Sequence, residues 1–363
     1  MKRILIISSI KYTESNRGID IITKSLIEMN YEVTHLTFPS NKKFYIKNNN
    51  FIEIGSNPKL ISYYEKIMKN LPKKVTQLFI NETIKPLLNF NFNKYDYVIL
   101  ESGKPIFLID IIPKNIPIIY RQSDSVKFII SKNSLFHLYE KKLIKRSKKV
   151  ITVNKYFYNN LKIIYGEKIC LIKNGFDLNE EKQISLKNPY EEEKNIKALY
   201  FGLFPLSFED VYHVLKKFKN ITFYFIGPKL FTKKEQRKLF KNENFKYLGY
   251  MKNENIQSYI KYSDFIFIPY KDSYKLNYFG LTSKYLLGMY YEKPIISKKI
   301  GLIDDFKNIE VMFYKDFLTL DKFIEKMKKN CKIIYNVNFN IFNKNNKILE
   351  YKNFFENLFN CER

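Results

Sequence analysis

The sequence predicts an α/β protein built on two doubly wound parallel sheets. Three observations carry that expectation. The Ile-, Val-, Phe- and Tyr-rich runs are short and continuous rather than alternating, which marks strands buried on both faces. Helical segments separate them, so successive strands are joined by crossovers. A polar stretch, Leu178 to Asn195, with Asn188-Pro189 and Glu191-Glu192-Glu193, divides the runs into two sets. The 363 residues leave room for two domains of about 150 to 200 residues, each with its own core.

In the first half, strands are expected at Arg3–Ser8, Glu32–Thr37, Tyr97–Glu101, Ile116–Arg121 and Val150–Asn154. A helix over Gly18 to Met29 places Ile21, Ile22, Leu26 and Met29 on one face. The first loop has Gly18 as its only glycine and lacks G-x-G-x-x-G, which removes most support for a dehydrogenase. A strand near Cys170–Ile172 leads to the turn Asn174-Gly175-Phe176-Asp177, and a hinge is expected within Asp177–Lys197.

The second half repeats the scheme. Strand Ala198–Phe201 ends at Gly202, helix Phe208–Phe218 follows, and strand Thr222–Ile226 ends at Gly227. Each glycine reads either as a tight turn or as a place where backbone approaches a ligand. Strand Phe245–Leu248 runs into Gly249-Tyr250-Met251, then helix Asn255–Tyr262 and the buried strand Asp264–Pro269, closed by Tyr270. Ser283-Lys284 opens the next helix, Tyr285–Tyr290, before strand Lys293–Ile296. Ile309–Phe313 and Leu318–Lys329 add a last strand and helix. In the tail, Lys347 to Leu358, the apolar residues Leu349, Tyr351, Phe354, Phe355 and Leu358 fall near helical spacing. The expected division is residues 1–177, 178–345, and a tail of 346–363 that packs back on the first domain.

The net charge of +27 asks for a partner, yet only six of the 63 basic residues are Arg. Three readings stay open: solvated lysine in a composition crowded with Lys, Asn, Ile, Phe and Tyr, an anionic membrane surface, or nucleic acid. The last is disfavoured, because readers of phosphates and base edges lean on the planar Arg fork. Two segments suit a lipid surface: Lys141, Lys142, Lys145, Arg146, Lys148 and Lys149 behind Leu135, Phe136, Leu138 and Tyr139, and Tyr63 to Phe79. Three unpaired-looking cysteines without CxxC spacing, and three dispersed histidines, fit a reduced cytoplasmic setting without a metal site. No apolar run reaches the roughly 18 residues of a membrane span, and the start reads as a first strand.

Two positions stand out chemically. Ser283 and Lys284 bring a hydroxyl, an ammonium and helix-start amides together after a strand, which suits phosphate. Asp124 follows the strand that carries Arg121, where active groups of α/β sheets collect. It reads as a general base or as a helix cap, and Arg121 as its support or as a contact for an anionic acceptor.

The motifs resemble, in order and spacing, the GumK-type glucuronosyltransferases of exopolysaccharide synthesis (glycosyltransferase family 70), and more loosely the family 4 enzymes, all of GT-B fold. They are Arg17-Gly18 ahead of a helix and Tyr31-Glu32-Val33; Tyr120-Arg121-Gln122-Ser123-Asp124; Asn174-Gly175-Phe176-Asp177; Gly249-Tyr250-Met251; Pro269-Tyr270; and Ser283-Lys284 ahead of Lys293-Pro294. The resemblance implies two Rossmann-like domains facing across a cleft. It also implies an inverting, metal-independent transfer from a UDP-sugar to a lipid-linked acceptor at the inner face of a membrane. Asp124 matches the base, Lys284 the pyrophosphate lysine, Tyr270 the tyrosine after the strand, and Met251 the methionine beside uracil. Tyr250 stands where that family has an acidic residue, and Leu287 where family 4 has a glutamate. Rival functions are a DNA-modifying glucosyltransferase or other nucleic-acid partner, and a sugar-nucleotide-binding protein without catalysis.

Overall fold

The computed structural model describes residues 1–12, 18–40, 44–48, 50–55, 72–124, 134–175, 186–229, 231–251, 253–273, 276, 278, 281–301, 310–328, 335 and 337–360. The chain forms two compact units. Unit 1 comprises Met1–Leu178 and Asn340–Arg363, and unit 2 comprises Asn179–Phe339.

Unit 1 carries β1 (Arg3–Ser8), α1 (Gly18–Glu28), β2 (Glu32–Thr37), β3 (Phe44–Asn48), β4 (Phe51–Gly55), α2 (Lys73–Ile84), β5 (Tyr97–Glu101), β6 (Ile118–Gln122), α3 (Ser134–Arg146), β7 (Lys149–Thr152), α4 (Lys155–Tyr165) and β8 (Ile169–Leu171). Its sheet runs β3-β4-β2-β1-β5-β6-β7-β8 and is parallel except for the antiparallel β3–β4 pair. The continuous apolar run of β1 has a simple cause. Leu5 and Ile7 enter one core layer, with Phe136 and Leu143 of α3, while Ile4 and Ile6 enter the opposite one. A strand sandwiched in this way has no solvent face on which to place a polar residue.

Unit 2 carries β9 (Ile196–Phe201), α5 (Phe208–Lys217), β10 (Ile221–Ile226), α6 (Lys233–Leu239), β11 (Phe245–Gly249), α7 (Asn253–Tyr262), β12 (Phe265–Ile268), α8 (Ser283–Tyr290), β13 (Ile295–Lys298), β14 (Met312–Tyr314) and α9 (Phe317–Met327). Its strands pair in parallel in the order β11-β10-β9-β12-β13-β14. The chain then returns to unit 1 as α10 (Lys344–Asn360). Ile348, Tyr351, Phe355, Leu358 and Phe359 of α10 share a core layer with Ile19, Ile22 and Leu26 of α1.

Three differences from the sequence expectation have physical reasons. The antiparallel pairing of β3 with β4 extends the first sheet by one edge strand. The described part of the polar stretch, 186–195, is not a free linker, because Tyr190 is buried in unit 2 and its hydroxyl donates to the Tyr259 carbonyl at 3.1 Å. Phe136 and Tyr139, read as an apolar front to the lysine cluster, point into the core instead; of the four only Leu138 is exposed.

Candidate functional site

In an open parallel sheet, the strand whose neighbours are reached in opposite directions leaves a crevice at its carboxyl end. In unit 2 that strand is β9, between β10 and β12. The carboxyl ends of β11, β10 and β9 each carry a glycine with positive φ: Gly249 at +74°, Gly227 at +153° and Gly202 at +147°. They are tied in a row, Gly202 N–H donating to Ile226 O at 3.0 Å and Gly227 N–H to Gly249 O at 2.9 Å. On the other side of β9, Tyr270 follows β12, is 2% exposed, and pairs with Leu206 through a bridge.

Lys284 fills this crevice. It is the second residue of α8 and only 9% exposed. Its ammonium lies 4.7 Å from the ring centre of Tyr200 and 5.3 Å from that of Tyr270, with the Tyr200 hydroxyl at 3.5 Å. Among the described residues no carboxylate pairs with it, and burial alone pulls its pKa from 10.5 to about 7. The two aromatic faces offset part of the desolvation. Burial also raises the phenol pKa of Tyr270. Ser283, the first residue of α8, is exposed, and the N-cap Thr282 gives the first turn no side-chain hydrogen bond. A partly neutralised cation, open helix amides and a glycine-lined strand end thus meet in one place. That combination suits an anion better than any other ligand.

Gly202 is tied to this arrangement twice. Its φ disfavours any side chain, and a Cβ there would sit 2.3 Å from Lys284 Nζ. Gly202→Ala is expected to displace the ammonium and to cost about 1–3 kcal/mol of backbone strain. Urea unfolding paired with anion titration checks both. A variant that binds as the parent does would separate Gly202 from the site.

Tyr250 and Met251 follow Gly249, two strands and so about 10 Å along the row from Gly202. Met251 packs against the unit 2 core while Tyr250 is 73% exposed. The structure therefore places Ser283, Lys284, Tyr270 and Gly202 together, with Tyr250-Met251 at the far end of the same edge. Leu287 packs on the core as well.

In unit 1 the corresponding switch lies between β1 and β5. Asp124 sits two residues past β6, exposed, with its amide donating to Ser102 Oγ at 3.1 Å. Ser102 in turn shares a 2.7 Å hydrogen bond with Ser123. The helix-cap alternative for Asp124 falls on residues 125–133, outside the described residues, as do Arg17, Phe176 and Asp177.

Arg121 requires a correction as a direct acceptor contact. Its guanidinium is 2% exposed, pairs with Glu101 at 2.5 Å and donates to Asn174 Oδ1 at 2.6 Å. Ser8 supplies a further hydrogen bond to Glu101. A side chain held in this way ties the carboxyl ends of β1, β5 and β6 together and presents no charge outward. It also explains Gly18, where a Cβ would lie 1.8 Å from the Arg121 guanidinium. Among the described residues, no group of three His, Cys, Asp or Glu is arranged to hold a metal ion.

No protein-family model matches the sequence, and no curated protein matches it. Solved structures do. A trehalose-6-phosphate synthase, OtsA, superposes with a TM-score of 0.62 at 13% identity, over 98% of this chain and 98% of that one. Anabaena HepE in complex with UDP-glucose gives 0.59 at 12% identity, over 98% and 100%. S. aureus MnaA with UDP gives 0.56 at 11%, over 99% and 97%. The fold is GT-B.

Within this GT-B chain the partners of Arg121 and Lys284 are not marked by any local sequence signal. Glu101 and Asn174 meet Arg121 across separations of 20 and 53 residues, which no local pattern signals. Tyr200, whose ring carries Lys284, lies inside β9, two residues before Gly202.

Proposed function

We propose that the chain is a glycosyltransferase that takes its sugar from a UDP-sugar held on unit 2. One observation carries this reading: a buried ammonium, Lys284, without an anionic partner among the described residues, at the switch point of a parallel sheet. A buried unpaired cation is costly unless something anionic completes it. A nucleoside diphosphate does so, with phosphates at Lys284 and the α8 amides and its base extending toward Tyr250-Met251. The solved structures of similar fold that hold UDP or UDP-glucose support the choice. The charge that grows on the departing diphosphate is stabilised by the same groups more in the transition state than before it.

The reaction we propose is an inverting, metal-independent transfer to a lipid-linked or polysaccharide acceptor, with Asp124 as base; glucuronate is one candidate sugar. A similar fold is described for transfer with retention by trehalose-6-phosphate synthase. The anomeric configuration of the product, read by NMR with and without EDTA, therefore decides between the two routes. A thermal-shift comparison of UDP-, GDP- and CMP-sugars tests the donor, since a ligand at about 100 times its dissociation constant adds roughly 2.7 kcal/mol. No shift with any UDP compound would end the proposal.

The pH dependence has a definite sign. The free fold holds Lys284 at about 7 against the ordinary 10.5, so over that window the unfolded chain binds more protons. The free protein accordingly gains stability from this group as pH rises. A bound diphosphate favours the charged form, so binding above about pH 7.5 takes up a proton and affinity falls toward tenfold per pH unit. Calorimetric titration of UDP at several pH values should show that slope. Lys284→Met keeps the stem packed between Tyr200 and Tyr270 and should abolish the slope while weakening binding. A steep slope persisting in Lys284→Met would remove Lys284 from the phosphates.

A further inference from the structure

The chain leaves the crevice of unit 2 at Tyr270 and comes back to it at Thr282, Ser283 and Lys284. A sugar attached to a diphosphate at Lys284 would sit beside that return, so whatever fixes the segment between these points sets the sugar's place. Both ends of the segment are fastened to the end of one strand. At the far end Tyr285, next to Lys284, shares a 2.8 Å hydrogen bond with Ser297. At the near end Asp272 pairs with Lys298 at 3.3 Å. Ser297 and Lys298 close β13, and Ser297 is in register with Ile268, the last residue of β12.

Lys298 is itself firmly seated. Its side chain is 12% exposed, and its ammonium lies 3.5 Å from the Asp210 carboxylate and 5.4 Å from the ring centre of Tyr314. Asp210 is buried in the first turn of α5 and accepts from the Tyr314 hydroxyl at 2.8 Å. Burial first, and then the Asp210 charge, raise the Tyr314 pKa well above the ordinary phenol range, so that hydroxyl keeps its proton. One buried carboxylate thus anchors the ammonium, which also reaches Asp272, whose side chain is 79% exposed. Pairing with so exposed a carboxylate adds little to stability. What it adds is a fixed start for the segment, helped by two backbone ties. Lys271 N–H donates to Pro205 O at 2.9 Å, and Gly301 N–H to Leu276 O at 2.8 Å.

We infer that Lys298 is a positioning residue of the donor site, which through Asp272 holds the segment after Tyr270 beside the transferred sugar. The inference rests on the UDP-sugar reading above. It separates two tasks: Lys284 and the α8 amides hold the diphosphate, and Lys298 orders what surrounds the sugar. Loss of Lys298 should therefore leave UDP binding alone and weaken the hold on a UDP-sugar.

The test compares Lys298→Met, Lys298→Arg and Asp272→Ala with the parent, all as the full chain. Calorimetry gives the dissociation constants of UDP and of whichever binds best among UDP-glucose, UDP-glucuronate and UDP-N-acetylglucosamine. In Lys298→Met and Asp272→Ala the ratio of UDP-sugar to UDP dissociation constants should rise about tenfold, because the sugar must then order the segment as it binds. The UDP constant should not move, and Lys298→Arg, which keeps the charge, should bring the ratio back toward the parent's. The double variant of Lys298→Met with Asp272→Ala should be no worse than the worse single one. In the free protein, the amides of Lys271, Leu276 and Gly301 should exchange about tenfold faster in both variants, with the strand amides of β12 and β13 unchanged. Asp272→Ala alters an exposed side chain, so it gives an answer even where Lys298→Met unfolds. A parental ratio and parental exchange in Asp272→Ala would overturn the proposal. So would equal losses for UDP and UDP-sugar, which a merely structural lysine predicts. A parent that binds none of these ligands removes the donor reading and this role with it, a failure read from the parent before any variant is made.

Discussion

Asp124→Asn is expected to lower turnover by roughly two to four orders of magnitude while leaving UDP affinity unchanged. Asparagine keeps the size and most hydrogen bonds of the carboxylate and loses the ability to accept the acceptor's proton. The backbone at this position is held by its amide to Ser102 Oγ at 3.1 Å, an anchor that the substitution does not touch. The melting temperature should therefore stay near that of the parent. If Asp124 is instead a cap, the pattern reverses: the melting temperature drops and activity per folded molecule is almost normal. One purified variant, measured for turnover, UDP binding and melting, separates the cases. Near-parental turnover would remove the base role.

Arg121→Met carries the largest expected effect on stability. It removes the cation from Glu101, which is 4% exposed, and strands a carboxylate in the core. Breaking one partner of a buried pair costs about 3–5 kcal/mol. The urea midpoint of unit 1 should fall accordingly at neutral pH. Adding Glu101→Gln removes the orphaned charge and should recover part of the loss, a coupling that a double-mutant cycle measures. A loss below about 1 kcal/mol, coupled with a raised KM for the acceptor, would mean that Arg121 works on substrate instead.

Much of this fold was legible because its strands are local events. The runs at Arg3–Ser8 and Tyr97–Glu101 are buried on both sides and so read as nearly unbroken apolar stretches, whereas Glu32–Thr37, equally buried, is marked by Val33 and Leu36 among β-branched threonines. The start of α6 is also written in the sequence, where Thr232 and Glu235 form a capping box. The same holds for β3–β4, where Phe44–Asn48 and Phe51–Gly55 flank an Asn-rich stretch. The chemistry was less legible than the fold. The place of Lys284 at a helix start is visible in the sequence, but its burial against Tyr200, 84 residues away, is not. Arg121 showed the opposite difficulty. Its position drew attention, but its role followed from Glu101 and Asn174, whose proximity only the folded sheet creates.

The return of α10 to unit 1 gives the chain an order of completion during synthesis. The first unit to begin is the last to be finished, because Tyr351, Phe355 and Phe359 emerge only after all of Asn179–Phe339 has been made. At about 5–20 residues per second, the part of the opposite layer that α10 fills beside α1 stays open for many seconds while unit 2 closes on itself. Tyr97, whose ring lies 4.6 Å from that of Phe359, waits through that interval for its helix. Until α10 arrives, chaperones and proteases can reach that layer of unit 1, long after its strands were translated.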